Sequence, residues 1–354
     1  MLNFFFSSPT LGELAVGKDN NFNLLRLLAA FAVLISHSFA MLGHAEPFAA
    51  TVGKNLGAMA VDVFFVASGF LVGASLIRSQ NIGDYFLARA LRIFPALWVM
   101  LLLTVLVLGA AYTRLDISTY LSEQQTWHYL LKNFFLMFGV EFYLPGLFET
   151  NRLRGIVNGS LWSMIYELSM YVLLLLSWMV YVVARKFLRI RYAILAGVSG
   201  LAIGLYLTDQ TYLLERLQLL RFAWFFFVGT AFYLLRHQIR MATNLMCLIV
   251  VLAIIALASS GHHFLMFYYL VLPYCLFYLA YIPAGILRSY NRVGDYSYGV
   301  YLYAFPIQQA LVLSYPASSV LALILVAGGL TFILAICSWH WIERPALELR
   351  KRFS

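Results

Sequence analysis

Apolar runs long enough to cross about 30 Å of hydrocarbon recur along the chain near residues 24–43, 57–77, 90–111, 160–183, 192–208, 214–235, 242–259, 264–283, 295–313 and 317–341. Backbone N–H and C=O groups cannot stay unsatisfied in lipid, so runs of this length predict helices. The expected fold is therefore all-α: a polytopic transmembrane helical bundle of about ten spans, forming one domain over residues 1–354. Short polar turns separate the runs, except over about 112–159. That connection carries Trp127-His128-Tyr129-Leu130-Leu131 and a Phe-rich run from Phe134 to Phe142, a mixture expected of one interfacial or re-entrant helix instead of a separate domain. The first run is too long for the apolar core of a cleavable signal and many more follow it, so it is expected to remain as the first span.

Charge sets the orientation. An even number of spans puts both termini on one side, and assigning them to the cytoplasm leaves seventeen of the 24 Lys and Arg residues inside. Only Lys54, Arg114, Lys132, Arg152, Arg154, Arg216 and Arg221 then fall outside. This asymmetry accounts for the formal charge of +9, and without a soluble basic domain no nucleic-acid partner is expected. A chain that is 63% hydrophobic and 11% charged is also outside the soluble globular range. Cys247, Cys275 and Cys337 lie in apolar stretches with no paired spacing, which predicts neither a disulfide framework nor a zinc site. His262-His263, at an outer turn, lacks carboxylate neighbours and reads as a polar cap, so no metal is expected.

Orientation lets depths be compared between helices. His37 lies about six residues below the outer end of the first span, Asp62 about five into the second, Glu167 about seven into the fourth and Arg221 about seven into the sixth. By helical rise all four share a layer roughly 10 Å below the outer surface. Ionisable groups inside a bilayer are expensive, which makes such a layer a candidate site. A carboxylate beside an imidazole fixes its tautomer and stabilises the imidazolium, so His37 reads as a base oriented by Asp62 or Glu167. The competing reading pairs Asp62 or Glu167 with Arg221 in an interhelical salt bridge. A second layer holds Arg26, eleven positions before His37 on nearly the same helical face and about 16 Å away along the axis, with Arg89 and Arg92, Arg288 and Arg292. Snorkelling anchors would give that pattern. The guanidinium forks of Arg89 and Arg92, one turn apart, also suit phosphate groups. Gly69 and Gly73 in the second span allow close helix approach. Tyr298 and Tyr301, three apart, are placed to line one cavity, and Trp339 and Trp341 read as interface anchors.

Several ordered motifs resemble those of the integral-membrane acyltransferase 3 family. Arg26 to His37 is similar to its Arg, ten residues, His signature, and Val61-Asp62-Val63-Phe64-Phe65-Val66-Ala67-Ser68-Gly69-Phe70-Leu71 to its second-helix motif. Arg89-Ala90-Leu91-Arg92-Ile93-Phe94-Pro95 resembles its Arg-x-x-Arg element, Leu161-Trp162-Ser163-Met164-Ile165-Tyr166-Glu167-Leu168 the segment with its acidic residue, and Ile342-Glu343-Arg344-Pro345 its closing motif. One position departs: Ala304 stands before Phe305-Pro306 where many members carry a histidine, leaving His37 as the main candidate base.

The resemblance implies a bacterial inner-membrane O-acyltransferase that moves an acyl group, acetyl by preference, from cytoplasmic acyl-CoA to a hydroxyl of a surface or exported glycan. Donor phosphates are expected on Arg26, Arg89 and Arg92, and the transfer at His37 with Asp62 and Glu167. The expected partners are acyl-CoA, a glycan or lipid-linked sugar acceptor and membrane lipids. With the chain ending at Ser354, delivery is expected either directly or through a separate periplasmic acyl-accepting partner. A transporter or flippase for a lipid-linked or sugar substrate is the alternative, against which stand the lack of inverted repeats and of paired broken helices.

Overall fold

A computed structural model describes residues 8–17, 19–79, 81–136, 139–184 and 218–350. The expected span at 192–208 and the basic residues Lys18, Arg185, Lys186, Arg189, Arg191, Arg216, Lys351 and Arg352 lie outside the described residues. Among those described, the chain is helical with no strand. The longer helices are α1 (Phe22–Leu42), α2 (Leu56–Arg78), α3 (Ile82–Leu103), α4 (Gln124–Phe135), α5 (Trp162–Ala184), α6 (Gln218–Leu234), α7 (Thr243–Ser259), α8 (Gly261–Tyr281), α9 (Ser297–Ser314) and α10 (Val320–Ser338). Six helical stretches are long and apolar enough to cross a membrane: Phe22–Leu42, Leu56–Arg78, Ile82–Tyr112, Gly159–Val180, Gly261–Tyr281 and Val320–Leu349. The apolar helices α6 and α7 are shorter, at 17 residues each.

Side chains close several helix starts where backbone donors would otherwise be orphaned. Asn81 accepts from Asp84 N at 2.8 Å ahead of α3, Ser260 from His263 N at 3.1 Å ahead of α8, and Ser319 from Ala322 N at 3.2 Å ahead of α10. Two π-helical turns interrupt the regular ladder, at Thr104–Gly109 after α3 and at Trp339–Glu343 after α10. At the first, the Tyr120 hydroxyl donates to Val105 O at 3.0 Å.

The chain forms two compact units. The first comprises Met1–Arg26, Phe48–Arg78 and Tyr166–Gly294. Its centre is the α2–α6 pair, where Gly69 lies against the Phe226 carbonyl and Gly229 against the Val66 carbonyl, leaving no room for a side chain at either glycine. The Thr230 hydroxyl donates to Gly69 O at 2.9 Å, and Phe65 stacks on Phe222 with centroids 4.0 Å apart. Phe70 meets Phe22, Phe277, Tyr233 and Tyr281, and Asn21 Nδ2 donates to both Leu279 O and Pro283 O at 2.9 Å.

The second unit comprises Leu27–Pro47, Ser79–Ile165 and Asp295–Ser354. Its α9–α10 hairpin is close because Gly299 packs on Ala335, and Met41, Phe305, Val312, Leu323 and Ala327 form a buried cluster. The connection at 112–159 belongs to this second unit. Its helix α4 seats on α3 through Trp98, which stacks on Phe134 at 4.4 Å and donates to its carbonyl at 3.0 Å. The inner face of α4 is buried through Thr126, Tyr129, Leu130 and Asn133, while Trp127, Leu131 and Phe135 stay exposed. That division is the amphipathic pattern expected of an interfacial helix.

Candidate active site

α1 runs without a break from Phe22 to Leu42, so Arg26 and His37 stand three turns apart on one continuous helix. In the second unit, the His37 ring meets Phe305 edge to face at 5.1 Å. Its Nδ1 is buried and has no hydrogen-bond partner among the described residues. The residues on either side of His37 are tied down. The buried Ser36 hydroxyl bonds to the Glu46 carboxylate. Ser38 donates to Leu34 O at 3.0 Å and receives Gln308 Nε2 at 2.6 Å, and Gln308 also donates to Leu34 O at 2.8 Å. These bonds fix the turn that carries His37 while leaving the imidazole itself uncommitted at Nδ1.

The polar residues of α9 are also held in place. Asn158 Nδ2 donates to Leu302 O at 3.0 Å, and Asn151 donates to Gln309 Oε1 at 2.8 Å. The Tyr301 hydroxyl reaches Ser160 O at 3.0 Å and Ser163 Oγ at 2.6 Å. Tyr298 instead donates to Ile93 O at 2.9 Å, so the two tyrosines have different partners.

Arg92, also in the second unit, is gripped from two sides. Its Nη2 lies 2.6 Å from Asp295 Oδ2 and its Nη1 3.2 Å from Glu343 Oε2, with the guanidinium 5.5 Å above the Tyr298 ring. Ser338 Oγ donates to Glu343 Oε1 at 2.9 Å, and Ser297 donates to Asp295 Oδ1 at 2.5 Å. Arg89 lies one turn earlier on α3. Nothing local in the sequence couples Asp295 or Glu343 to Arg92, since 203 and 251 positions separate them.

In the first unit, Asp62 is the hub of a buried charge cluster. Lys54 Nζ lies 3.0 Å from Oδ2 and Arg221 Nε 3.2 Å from Oδ1, with side-chain exposures of 1%, 0% and 2% for Lys54, Asp62 and Arg221. The Tyr268 hydroxyl donates to Asp62 Oδ2 at 3.1 Å, and Lys54 donates to the Tyr269 hydroxyl at 3.1 Å. The Asp62–Arg221 bridge is the pairing weighed as the alternative to a role at the base. Lys54, expected only as an outer-loop charge, is the unforeseen third member. Glu167 accepts from the Tyr171 hydroxyl, which itself lies 3.4 Å from Ser68 Oγ. Arg26 stacks over Phe64, 5.9 Å from the ring centroid. Among the described residues no group of three or more His, Cys, Asp or Glu side chains could hold a metal ion.

A family model described as an acyltransferase domain matches residues 19–341. The chain belongs to the acyltransferase 3 family. It is therefore a membrane enzyme that transfers acyl groups. A protein of Shigella phage Sf6 named O-acetyl transferase is 28% identical over 342 residues, covering 93% of this chain and 96% of the phage protein. Nodulation protein 10 of Rhizobium leguminosarum bv. viciae is 28% identical over 374 aligned residues, covering 96% of each. No solved structure matches the chain.

Proposed function

We propose that this acyltransferase is a bacterial inner-membrane O-acetyltransferase that moves an acetyl group from cytoplasmic acetyl-CoA to a sugar hydroxyl of a surface or exported glycan. Family membership and the phage relative's name support the reaction class. The observation that carries the mechanism is the uncommitted, buried Nδ1 of His37 on a helix turn whose neighbours are all fixed. In this reading the whole chain is one acyltransferase domain of about ten spans with both termini in the cytoplasm.

The chemistry assigned to His37 is general base catalysis. The imidazole takes the proton of the acceptor hydroxyl as its oxygen attacks the thioester carbonyl. The C–S bond breaks, the new C–O ester bond forms, and the CoA thiolate leaves with the proton returned by the imidazolium. Asp62 and Glu167 are the proposed carboxylates of this end, Asp62 acting from within its charge cluster. Arg26, Arg89 and Arg92 are the proposed cations for the donor's phosphate groups. The acceptor is a glycan or a lipid-linked sugar, reached directly or through a periplasmic partner.

His37→Ala tests the assignment. Removing a positioned base lowers turnover by about 10²–10⁴-fold, read as transfer of labelled acetyl from acetyl-CoA to surface glycan in cells expressing the variant at the wild-type level. Full acetylation by the variant would sink the role given to His37.

A further inference from the structure

Adjacent glutamines on α9 differ in how completely they are used. Both are fully buried, at 0% exposure. Each end of the Gln309 amide is engaged: Nε2 donates to Leu153 O at 2.9 Å and to Ile156 O at 2.6 Å, and Oε1 accepts from Asn151 Nδ2 at 2.8 Å. Gln308 is engaged at one end. Its Nε2 donates to Leu34 O and Ser38 Oγ, while its buried Oε1 has no hydrogen-bond partner among the described residues. The amide cannot be turned over to change this, because Leu34 O only accepts and requires the N–H end. Clamping α9 to α1 needs the donor end alone, and a buried acceptor left without a donor is costly and calls for a reason beyond packing. The buried Nδ1 of His37, in the same α1–α9 seam, also has no partner among the described residues. The helices bring the two side chains to one place. Leu34 and Ser38 stand three positions before and one after His37, and Phe305, whose ring meets the imidazole, stands one turn before Gln308.

We infer that Gln308 is a positioning residue for His37: its Oε1 receives the Nδ1 proton and so holds the imidazole in the tautomer whose Nε2 is the base. This rests on the assignment of His37 as that base. A neutral imidazole carries one N–H, and the hydrogen bond made by one nitrogen decides which nitrogen keeps the lone pair. An amide oxygen does this without adding charge to an apolar seam, as the asparagine of papain-like Cys-His-Asn sites does. Nε2 takes the proton of the acceptor hydroxyl as the C–O ester bond forms and the C–S bond breaks. Nδ1–H stays on Oε1 throughout, and Nε2 returns its proton to the CoA thiolate. The imidazole is the half that moves to close this bond, since the amide is tethered at Nε2. Catalytic hydrogen bonds of a substrate-free enzyme are often open and tighten in the complex.

The test is steady-state kinetics of full-length protein in nanodiscs, with labelled acetyl-CoA and with surface glycan extracted from cells that lack the enzyme. Gln308→Met keeps the side-chain length without the polar atoms and is expected to lower kcat by about tenfold or more, with KM for acetyl-CoA and for glycan within about threefold. Gln308→Glu, which keeps an oxygen on the imidazole side, recovers part of the loss. In a His37→Ala background, adding Gln308→Met changes the residual rate by less than about twofold, because two residues that act as a unit are not additive. An unchanged kcat in Gln308→Met overturns the inference. A raised KM for glycan at constant kcat also overturns it, by making Gln308 an acceptor-binding residue, and so does a full further loss in the His37→Ala background, by making it structural. Should Gln308→Met fail to fold, Gln308→Asn, which draws the amide back by one methylene, must show the same loss of kcat, and full turnover in it overturns the inference. Full acetylation by His37→Ala would instead remove the base itself, whatever Gln308 does.

Discussion

Asp62→Ala offers the clearest measure of the buried cluster in the first unit. The carboxylate takes Lys54, Arg221 and the Tyr268 hydroxyl at 3.0, 3.2 and 3.1 Å, all out of contact with water. Its removal leaves two buried cations without their shared counter-charge, and breaking a buried pair this way costs about 3–5 kcal/mol. At about 2 °C per kcal/mol, the lower end for large domains, the melting temperature should fall by about 6–10 °C. Tyr268→Phe loses one hydrogen bond to a charged acceptor but keeps both ion pairs, so its cost should not exceed about 1.5–3 kcal/mol. Thermal unfolding in detergent, followed by fluorescence-detected size exclusion, gives both values. A double variant with Arg221→Met should be less destabilised than the sum of its parts by about 1 kcal/mol or more. The reasoning fails if Asp62→Ala melts within about 2 °C of wild type, or no lower than Tyr268→Phe. Activity per folded molecule, measured well below the melting point, then separates two roles: an Asp62 that only stabilises leaves it intact, and one that serves His37 does not.

Two further outcomes follow from local geometry. Gly69→Ala drives a methyl group into the Phe226 carbonyl and should destabilise by about 1–3 kcal/mol, while at Gly73 the nearest obstacle is the Thr230 methyl at 3.0 Å, a side chain that can shift, so Gly73→Ala should cost less; equal melting temperatures for the two would refute this. In the 112–159 connection, burial pushes the Tyr120 hydroxyl up to about 12, and burial, with Tyr120 and Glu141 nearby, raises Tyr129 further. Both folded values lie above the ordinary tyrosine value of about 10, so their contribution is intact below pH about 10 and is lost as pH rises through the folded values. Tyr129→Phe should therefore lose less melting temperature than wild type between pH about 10 and 11, and identical slopes would contradict the assignment.

How much of this was legible in the sequence depends on the range of the interaction. Helix existence follows from local apolar length, and nine of the ten expected spans coincide with helices; the tenth, at 192–208, lies outside the described residues. The depth of a polar residue is also local, since it follows from counting along one helix, and it put at one level Asp62 and Arg221, whose side chains meet at 3.2 Å. The choice of partner is not local. Lys54 lies in a short connection between α1 and α2 whose return onto Asp62 depends on packing around Ala49–Val52, where Gly261 presses on the Thr51 carbonyl. Asp295 and Glu343 reach Arg92 across 203 and 251 positions, and the second needs a π-turn that no hydropathy pattern encodes. The same difference explains why the motifs were recognisable before their purpose was. Arg26 and His37 share one helix, so their spacing alone states a geometry. Glu343 acquires meaning only from the residue it holds, which is why a closing motif at the far end of the chain bears on an arginine of α3.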